Sequence, residues 1–248
     1  MAKVVLITGG GRGIGAATAR LAAQRGYTVV LSYRVRRDAA DAVVDAVARE
    51  GGTALAVQAD VAVEADVVRL FEDVDRAFGR LDALVNNAGM LETQMRVDQM
   101  DAGRLARVFA ANVIGSFLCC REAVRRMSTR HAGTGGTIVN LSSAASRLGA
   151  AGEYVDYAAA KGAIDTLTIG LAREVGGEGI RVNAVRPGLI HTEIHASGGE
   201  ATRIDRLSSS IPMKRGGTAD EVASAIMWLV SDDAAYVNGA IVDVTGGR

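Results

Sequence analysis

Tyr157 and Lys161 are four positions apart, and Ser142-Ser143 stands upstream, with Ser143 fourteen residues before Tyr157. On a helix, side chains at i and i+4 share a face, their Cβ atoms about 5–6 Å apart. The ammonium of Lys161 is thereby brought beside the phenol of Tyr157. At an effective dielectric of about 20 and a separation of about 4 Å, it attracts a phenolate by about 4 kcal/mol. That is an upper bound of roughly three pKa units, enough to bring a tyrosine from about 10 toward neutrality. A phenol tuned in this way exchanges protons with an alcohol or carbonyl oxygen near physiological pH. A lone Tyr-x-x-x-Lys is more often an exposed helical pair, so the rest of the chain decides.

A second chemical feature lies at the start. Thr8-Gly9-Gly10-Gly11-Arg12-Gly13-Ile14-Gly15 follows an apolar run and precedes a helical pattern. Glycines between a strand and a helix let the backbone approach a pyrophosphate, while the helix N-terminus supplies amide donors and a positive dipole. The spacing Gly9-x-x-x-Gly13-x-Gly15 departs from the plain G-x-G-x-x-G fingerprint, and alone it reads equally as a flexible turn.

The elements that must position these residues alternate along the chain. Short apolar runs occur at Val4–Ile7, Thr28–Leu31, Ala54–Val57, Ala83–Val85, Thr137–Val139, Ile180–Val182 and Ala240–Val242. Most are continuously apolar, as in strands covered on both faces. Helical patterns separate most of them: Gly13–Gln24, Ala39–Arg49, Glu64–Ala77, a long segment through Asn112 to Met127, Tyr157–Val175 and Ala219–Val230. Gly26, Gly51 and Gly79 are expected helix stops. The pattern predicts an α/β fold with a doubly wound, parallel, seven-stranded sheet.

Composition narrows the class. The chain has 248 residues, 28 basic and 28 acidic, so no net field recruits nucleic acid or an anionic membrane. Only Pro187 and Pro212 occur, and no linker or repeat divides the sequence, so residues 1–248 are expected to form a single domain. The two cysteines, Cys119 and Cys120, are adjacent and badly placed for a bridge, which fits a reducing cytoplasm. The apolar run after Met1 is too short for a signal-peptide core or a membrane span. The expectation is a soluble, unprocessed, cytoplasmic protein.

Six motifs in register resemble the short-chain dehydrogenase/reductase family. They are Thr8–Gly15, Asn86-Asn87-Ala88-Gly89, Asn112, Ser143, Tyr157-x-x-x-Lys161 and Pro187-Gly188-Leu189-Ile190-His191-Thr192. The resemblance covers nearly the whole chain and implies a Rossmann fold that binds NAD or NADP and works without a catalytic metal. It implies that Gly9, Gly11, Arg12, Gly13, Ile14 and Gly15 bind the cofactor. Asp60 and Val61 would meet the adenine, and Asn86, Ala88 and Gly89 would line the cofactor further on. Asn87 would tie neighbouring strands, Pro187 and Gly188 would turn the chain, and Ile190 and Thr192 would contact the nicotinamide carboxamide.

The catalytic set implied is Ser143, Tyr157, Lys161 and Asn112. Tyr157 would be the general acid or base, and Lys161 would lower its pKa and bind the nicotinamide ribose. Ser143 would hold the substrate oxygen, and Asn112 would support a water chain to Lys161. The usual family spacing from Tyr157 falls on Ala144, so Ser143 implies a loop one residue longer within 144–156. The second serine of the pair is preferred over Ser142 because, just past a strand, it commonly points into the site.

The end of the second strand reads Leu31-Ser32-Tyr33-Arg34, without the acid that binds a ribose 2′-hydroxyl in NAD-preferring relatives. Arg34 and Arg12 could instead meet a 2′-phosphate, with Tyr33 beside them. NADP(H) is the preferred cofactor, with NAD(H) possible. Residues 190–212, with Gly198-Gly199 as a hinge, are expected to close over substrate, and Glu153 and Tyr154 to shape its pocket. His191 and His195 have no companion ligands and read as loop histidines, His195 at most touching substrate.

Substrates within reach of this reading are 3-oxoacyl groups on a carrier protein, sugars such as glucose, and small ketones or alcohols. Arg121, Arg125, Arg126 and Arg130 could dock an acidic carrier, although such a set is more often a solvated helix face. The family resemblance also implies a homotetramer, built on the helix through Asn112, the helix Tyr157–Val175 and the tail Val242–Gly247. A different class, a nucleotide sensor or scaffold that kept the fold and lost turnover, fits less well because Ser143, Tyr157, Lys161 and Asn112 are all retained.

Overall fold

Seven short aliphatic strands pair in one parallel sheet in the computed structural model, which describes residues 2–248. They are β1 (Val4–Ile7), β2 (Thr28–Tyr33), β3 (Ala54–Gln58), β4 (Ala83–Asn86), β5 (Gly136–Leu141), β6 (Ile180–Pro187) and β7 (Ile241–Val244). The helices are α1 (Gly13–Gln24), α2 (Arg37–Arg49), α3 (Glu64–Phe78), α4 (Ala102–Phe109), α5 (Gly115–Met127), α6 (Ala145–Leu148), α7 (Val155–Val175), α8 (Ile194–Ser197), α9 (Arg203–Leu207) and α10 (Ala219–Val230). The spatial order β3-β2-β1-β4-β5-β6-β7 makes this the doubly wound sheet expected from the alternation. Its order reverses between β1 and β4, and a crevice opens beyond the carboxyl ends of strands at such a point.

Most strand positions are apolar because both sheet faces are covered. Val4 and Leu6 join Phe71, Leu84, Ile138 and Met127 under α3, α5 and α7. Val5 and Ile7 face the other way, onto Ala19, Val43, Val222 and Ile226 of α1, α2 and α10. Fully burying each large aliphatic side chain contributes roughly 1.5–3 kcal/mol, so the two layers fix the strand register. Gly26, Gly51 and Gly79 end α1, α2 and α3 at φ of 81°, 79° and 67°, a region where a side chain is strained.

One element differs in kind from its sequence pattern. The segment through Asn112 is not a plain α-helix: a π-helical turn at Ala110–Ile114 joins α4 to α5. This continuous helix is long and apolar enough to cross a membrane. Here it packs on α3 and α7 and carries the buried polar residues Arg104, Asn112 and Glu122. Smaller differences are that β6 runs on to Pro187 through the polar Arg186, and that α2 and α7 begin at Arg37 and Val155. The short helices α6, α8 and α9 are below the length at which periodicity is readable.

The glycine turn is packed against β2. A Cβ at Gly10 would lie 2.6 Å from Cβ of Leu31, a buried strand residue with no room to move. Gly10→Ala should therefore destabilise the protein by about 1–3 kcal/mol in urea denaturation. A change below about 0.5 kcal/mol would show that the turn is looser than this packing implies.

Candidate active site

Beyond the carboxyl ends of the central strands lies a cleft of about 800 Å³. At its head, the glycine turn contributes Gly9, Gly11, Arg12, Gly13 and Ile14. Gly9 and Gly13 have φ of 63° and 52°, so the loop needs glycine at both positions. Helix α1 starts with no side-chain cap and no acid in its first turn. Its leading amides and positive end are thus left for an anion, and the turn fits a pyrophosphate without adjustment of any capping group.

The turn is held by its neighbours. Asn87 Nδ2 donates to the carbonyls of Thr8 (2.8 Å) and Gly9 (3.0 Å). Thr8 Oγ1 accepts from the amides of Asn87 (3.1 Å) and Ala88 (3.0 Å), so β1 and β4 are stapled at the point where they part. Gly15 does not reach the cleft. A Cβ there would stand 2.5 Å from both Asn87 Nδ2 and the Gly9 carbonyl, so its place is inside the staple.

Tyr33, Arg34, Asp60 and Val61 line the next stretch. Arg34 faces Asp60 at 3.9 Å, and Arg12 faces Glu193 at 3.3 Å. Both guanidiniums are more than half exposed, and such surface pairs contribute about 0–1 kcal/mol, which leaves them available to an incoming phosphate.

At the floor, Ser143, Tyr157 and Lys161 converge in the cleft. The Ser143 hydroxyl faces the Tyr157 phenol and favours its ionised form. Ser142 is buried instead and its Oγ donates to the Lys161 carbonyl at 3.3 Å. Lys161 is 4% exposed, its Nζ donating to the Leu141 carbonyl at 2.6 Å and lying 5.5 Å from the centre of the Tyr157 ring. Burial pushes its pKa down from 10.5 to about 8, with Asp165 opposing.

The expected acidification of Tyr157 is not found. Burial of the phenol pushes its pKa up to about 12, only partly offset by the Ser143 hydroxyl. The Coulomb argument from the helical spacing omitted desolvation, which penalises the phenolate and the ammonium alike.

Asn112 and Asn86 also lie outside the cleft. Asn112 is fully buried: Nδ2 donates to the carbonyls of Val108 (2.9 Å) and Met90 (3.0 Å), and Oδ1 accepts from the Met90 amide (3.1 Å). It stands behind Gly89, where a Cβ would fall 2.7 Å from Asn112 Oδ1 and 3.6 Å from Lys161 Nζ. Asn86 turns into the core toward Asn140 (2.9 Å) and Cys120, and it is a strand tie. Ala88 and Gly89 line the cleft.

Pro187, Gly188, Ile190 and Thr192 form the far wall. Ile194 and Ser197 of α8 and Arg203 of α9 also line the cleft, and Gly198 and Gly199, the latter at φ 89°, lie between the two helices. Buried Tyr154 donates its hydroxyl to the Gly198 carbonyl at 3.0 Å. Arg203 pairs with Glu153, holding that carboxyl below its usual range, and stacks over the Tyr154 ring at 5.2 Å. His191 packs on Gly216 outside the cleft, and the side chain of His195 lies outside the described residues.

Sequence reasoning passed over four contributors: Arg104, Asp156, Glu193 and Arg203. Arg104 is two helical turns before Asn112, and Asp156 directly precedes Tyr157, so same-face spacing and adjacency were available signals. The pairings of Glu193 with Arg12 and of Arg203 with Glu153 join distant segments and leave no local trace. The suggested basic face is fully engaged: Arg121 pairs with Glu64, Arg125 with Glu122, Arg126 with Asp75, and Arg130 with Glu178. It is a charge-balanced helix surface.

The fold and cleft define a dinucleotide-binding protein of the doubly wound class. Residues 9–248 match the family described as enoyl-(acyl carrier protein) reductase. The chain is 57% identical over 245 residues to the uncharacterized oxidoreductase YgfF of Escherichia coli K12, covering 99% of both. It is 38% identical to the 3-oxoacyl-[acyl-carrier-protein] reductase of Synechocystis, covering 99% of this chain and 96% of that one. A short-chain dehydrogenase from Burkholderia cenocepacia, solved in complex with NADP, superposes with a TM-score of 0.90 at 34% identity, covering 99% and 97% of the two chains. The chain belongs to the short-chain dehydrogenase/reductase family, whose members use nicotinamide cofactors, and it is an oxidoreductase.

Buried Lys161 makes stability depend on pH. The folded protein binds its proton less tightly than the unfolded chain, so the penalty is full below pH about 8 and disappears as pH rises toward 10.5. Relative to Lys161→Met, the wild type should gain up to roughly 3 kcal/mol in chemical denaturation between pH 7 and pH 10. Parallel curves would mean that the ammonium is well solvated.

Proposed function

We propose that the protein is an NADP(H)-preferring oxidoreductase that interconverts a carbonyl and a secondary alcohol, with Tyr157 as general acid and base. The observation that carries this reading is the meeting of Ser143, Tyr157 and Lys161 in one cleft with an uncapped glycine turn. NADPH, when bound, supplies the hydride. The glycine turn, Asp60, Val61, Ala88, Gly89, Ile190 and Thr192 would hold the cofactor, with Arg12 and Arg34 at the 2′-phosphate.

In the reducing direction, Tyr157 passes its phenolic proton to the substrate oxygen, which Ser143 holds by a hydrogen bond. A pKa of about 12 keeps the donor protonated at neutral pH. The Lys161 cation, present below pH about 8, stabilises the phenolate as the proton leaves. The same tuning makes alcohol oxidation the harder direction at neutral pH, because Tyr157 must first be deprotonated. Asn112 contributes by fixing Met90 and backing Gly89 beside Lys161.

Met90, Leu91, Leu148 and Ala150 wall the substrate end, which favours an acyl chain or an apolar ketone over a sugar. The closed charge balance of the Arg121–Arg130 face gives no support to carrier docking there. Residues 190–212 act as the closing segment. Leu105, Ile114, Phe117 and Ile169 are exposed on α4, the π-turn, α5 and α7, and a homotetramer in the cytoplasm would cover them.

Tyr157→Phe should reduce NADPH-dependent carbonyl reduction by about 10³-fold or more while NADPH affinity stays within about twofold. Retained turnover would remove Tyr157 from the mechanism. Arg34→Ala should weaken NADPH binding by about tenfold, with NADH binding unchanged. Equal losses for both cofactors would place Arg34 away from the 2′-phosphate.

A further inference from the structure

Arg104 and Asp156 form the most deeply buried ion pair among the described residues, and the reaction above does not use it. Their side chains are 4% and 1% exposed, and Arg104 Nε donates to Asp156 Oδ2 at 2.7 Å. Two charges taken out of water gain little stability from each other, since desolvation offsets their attraction. What the pair does have is position. Asp156 Oδ1 accepts from the Tyr157 backbone amide at 2.9 Å, so the carboxylate grips the first turn of α7 at the residue before the phenol. The other side of the guanidinium donates to the Thr93 carbonyl at 2.7 Å.

Thr93 belongs to the stretch from Gly89 to Met95, which has no regular secondary structure and includes three cleft residues, Gly89, Met90 and Leu91. Three side chains of the long helix hold that stretch in sequence. Asn112 binds Met90, Arg107 binds Glu92 at 2.8 Å, and Arg104 binds Thr93. Arg104 alone extends this clamp to α7. The Met95 amide adds a bond to the Glu153 carbonyl at 3.0 Å, on the same side of the cleft.

We infer that the Arg104–Asp156 pair is a positioning device. It sets the start of α7, and with it Tyr157, against the wall at 90–95 that orients the substrate carbonyl. The inference rests on Tyr157 being the proton donor. Neither residue touches the reacting atoms. Their effect is on the alignment of the phenol with a substrate held by the wall, and a misplacement of about 1 Å at such a site can lower a rate by about 100-fold.

The test separates position from stability. In Arg104→Met/Asp156→Leu both charges leave together, a change that is often neutral or stabilising for a buried pair. The double variant should keep a melting temperature near that of the wild type and NADPH affinity within about twofold, while kcat for carbonyl reduction falls by about tenfold or more. A kcat within about twofold of the wild type, in a folded double variant, would overturn the inference and leave the pair a fold element only. If the double variant does not fold, Arg104→Lys decides. Its ammonium keeps a charge on Asp156 but cannot fork to the Thr93 carbonyl, so kcat should still fall by about threefold or more with cofactor affinity intact. An unchanged kcat there also overturns it. Tyr157→Phe, assayed alongside, distinguishes the two claims: if it retains turnover, the reading of Tyr157 fails, whatever the pair does.

Discussion

Lys161 carries its ammonium into the protein with the Leu141 carbonyl, 2.6 Å away, as its hydrogen-bond acceptor. That bond joins the end of β5 to the first turns of α7, and it fixes the cation at the floor of the cleft. The cost of burial is visible in a pKa lowered to about 8, close to the point at which the charge would be lost. The cation survives at neutral pH by a narrow margin. The neighbouring phenol is pushed the opposite way, to about 12, by the same desolvation. The cleft therefore presents a protonated phenol and a protonated amine side by side, a combination suited to giving a proton away.

The surrounding structure makes that arrangement rigid. Thr8 and Asn87 staple β1 to β4 at the crevice, so the glycine turn and the Ala88-Gly89 wall are tied together. The π-turn places Asn112 behind Gly89, and a π-turn within a long helix is frequently found at functional sites. Ser142 and Ser143 divide the work at the end of β5: one anchors the backbone of α7, the other faces the phenol. The tuning of two side chains thus depends on contacts from four separate segments.

Much of this was legible in the residues. The strand–helix alternation gave the sheet, because strands covered on both faces must be continuously apolar. The glycine turn, the empty acidic position after β2 and the spacing of Tyr157 and Lys161 are local features, and they meet in one cleft. The direction of the Tyr157 shift was not legible, since burial is a property of the whole fold and helical spacing reports only the attraction. Asn86 and Gly15 stand in the motif yet face inward, toward Asn140 and Asn87, because alternate strand residues point to opposite faces and the turn must close on itself. The ion pairs Arg203–Glu153 and Arg12–Glu193 depend on how residues 193–212 fold back, which no sequence period encodes.

The most direct test of the central claim is the pH dependence of kcat/KM for NADPH-driven carbonyl reduction, which reports the ionisations of the free enzyme. If a protonated Lys161 beside a protonated Tyr157 is the active form, the profile is level near neutrality and falls above pH about 8. A profile that stays level to pH about 10 would contradict it, since the Lys161 cation would then be dispensable.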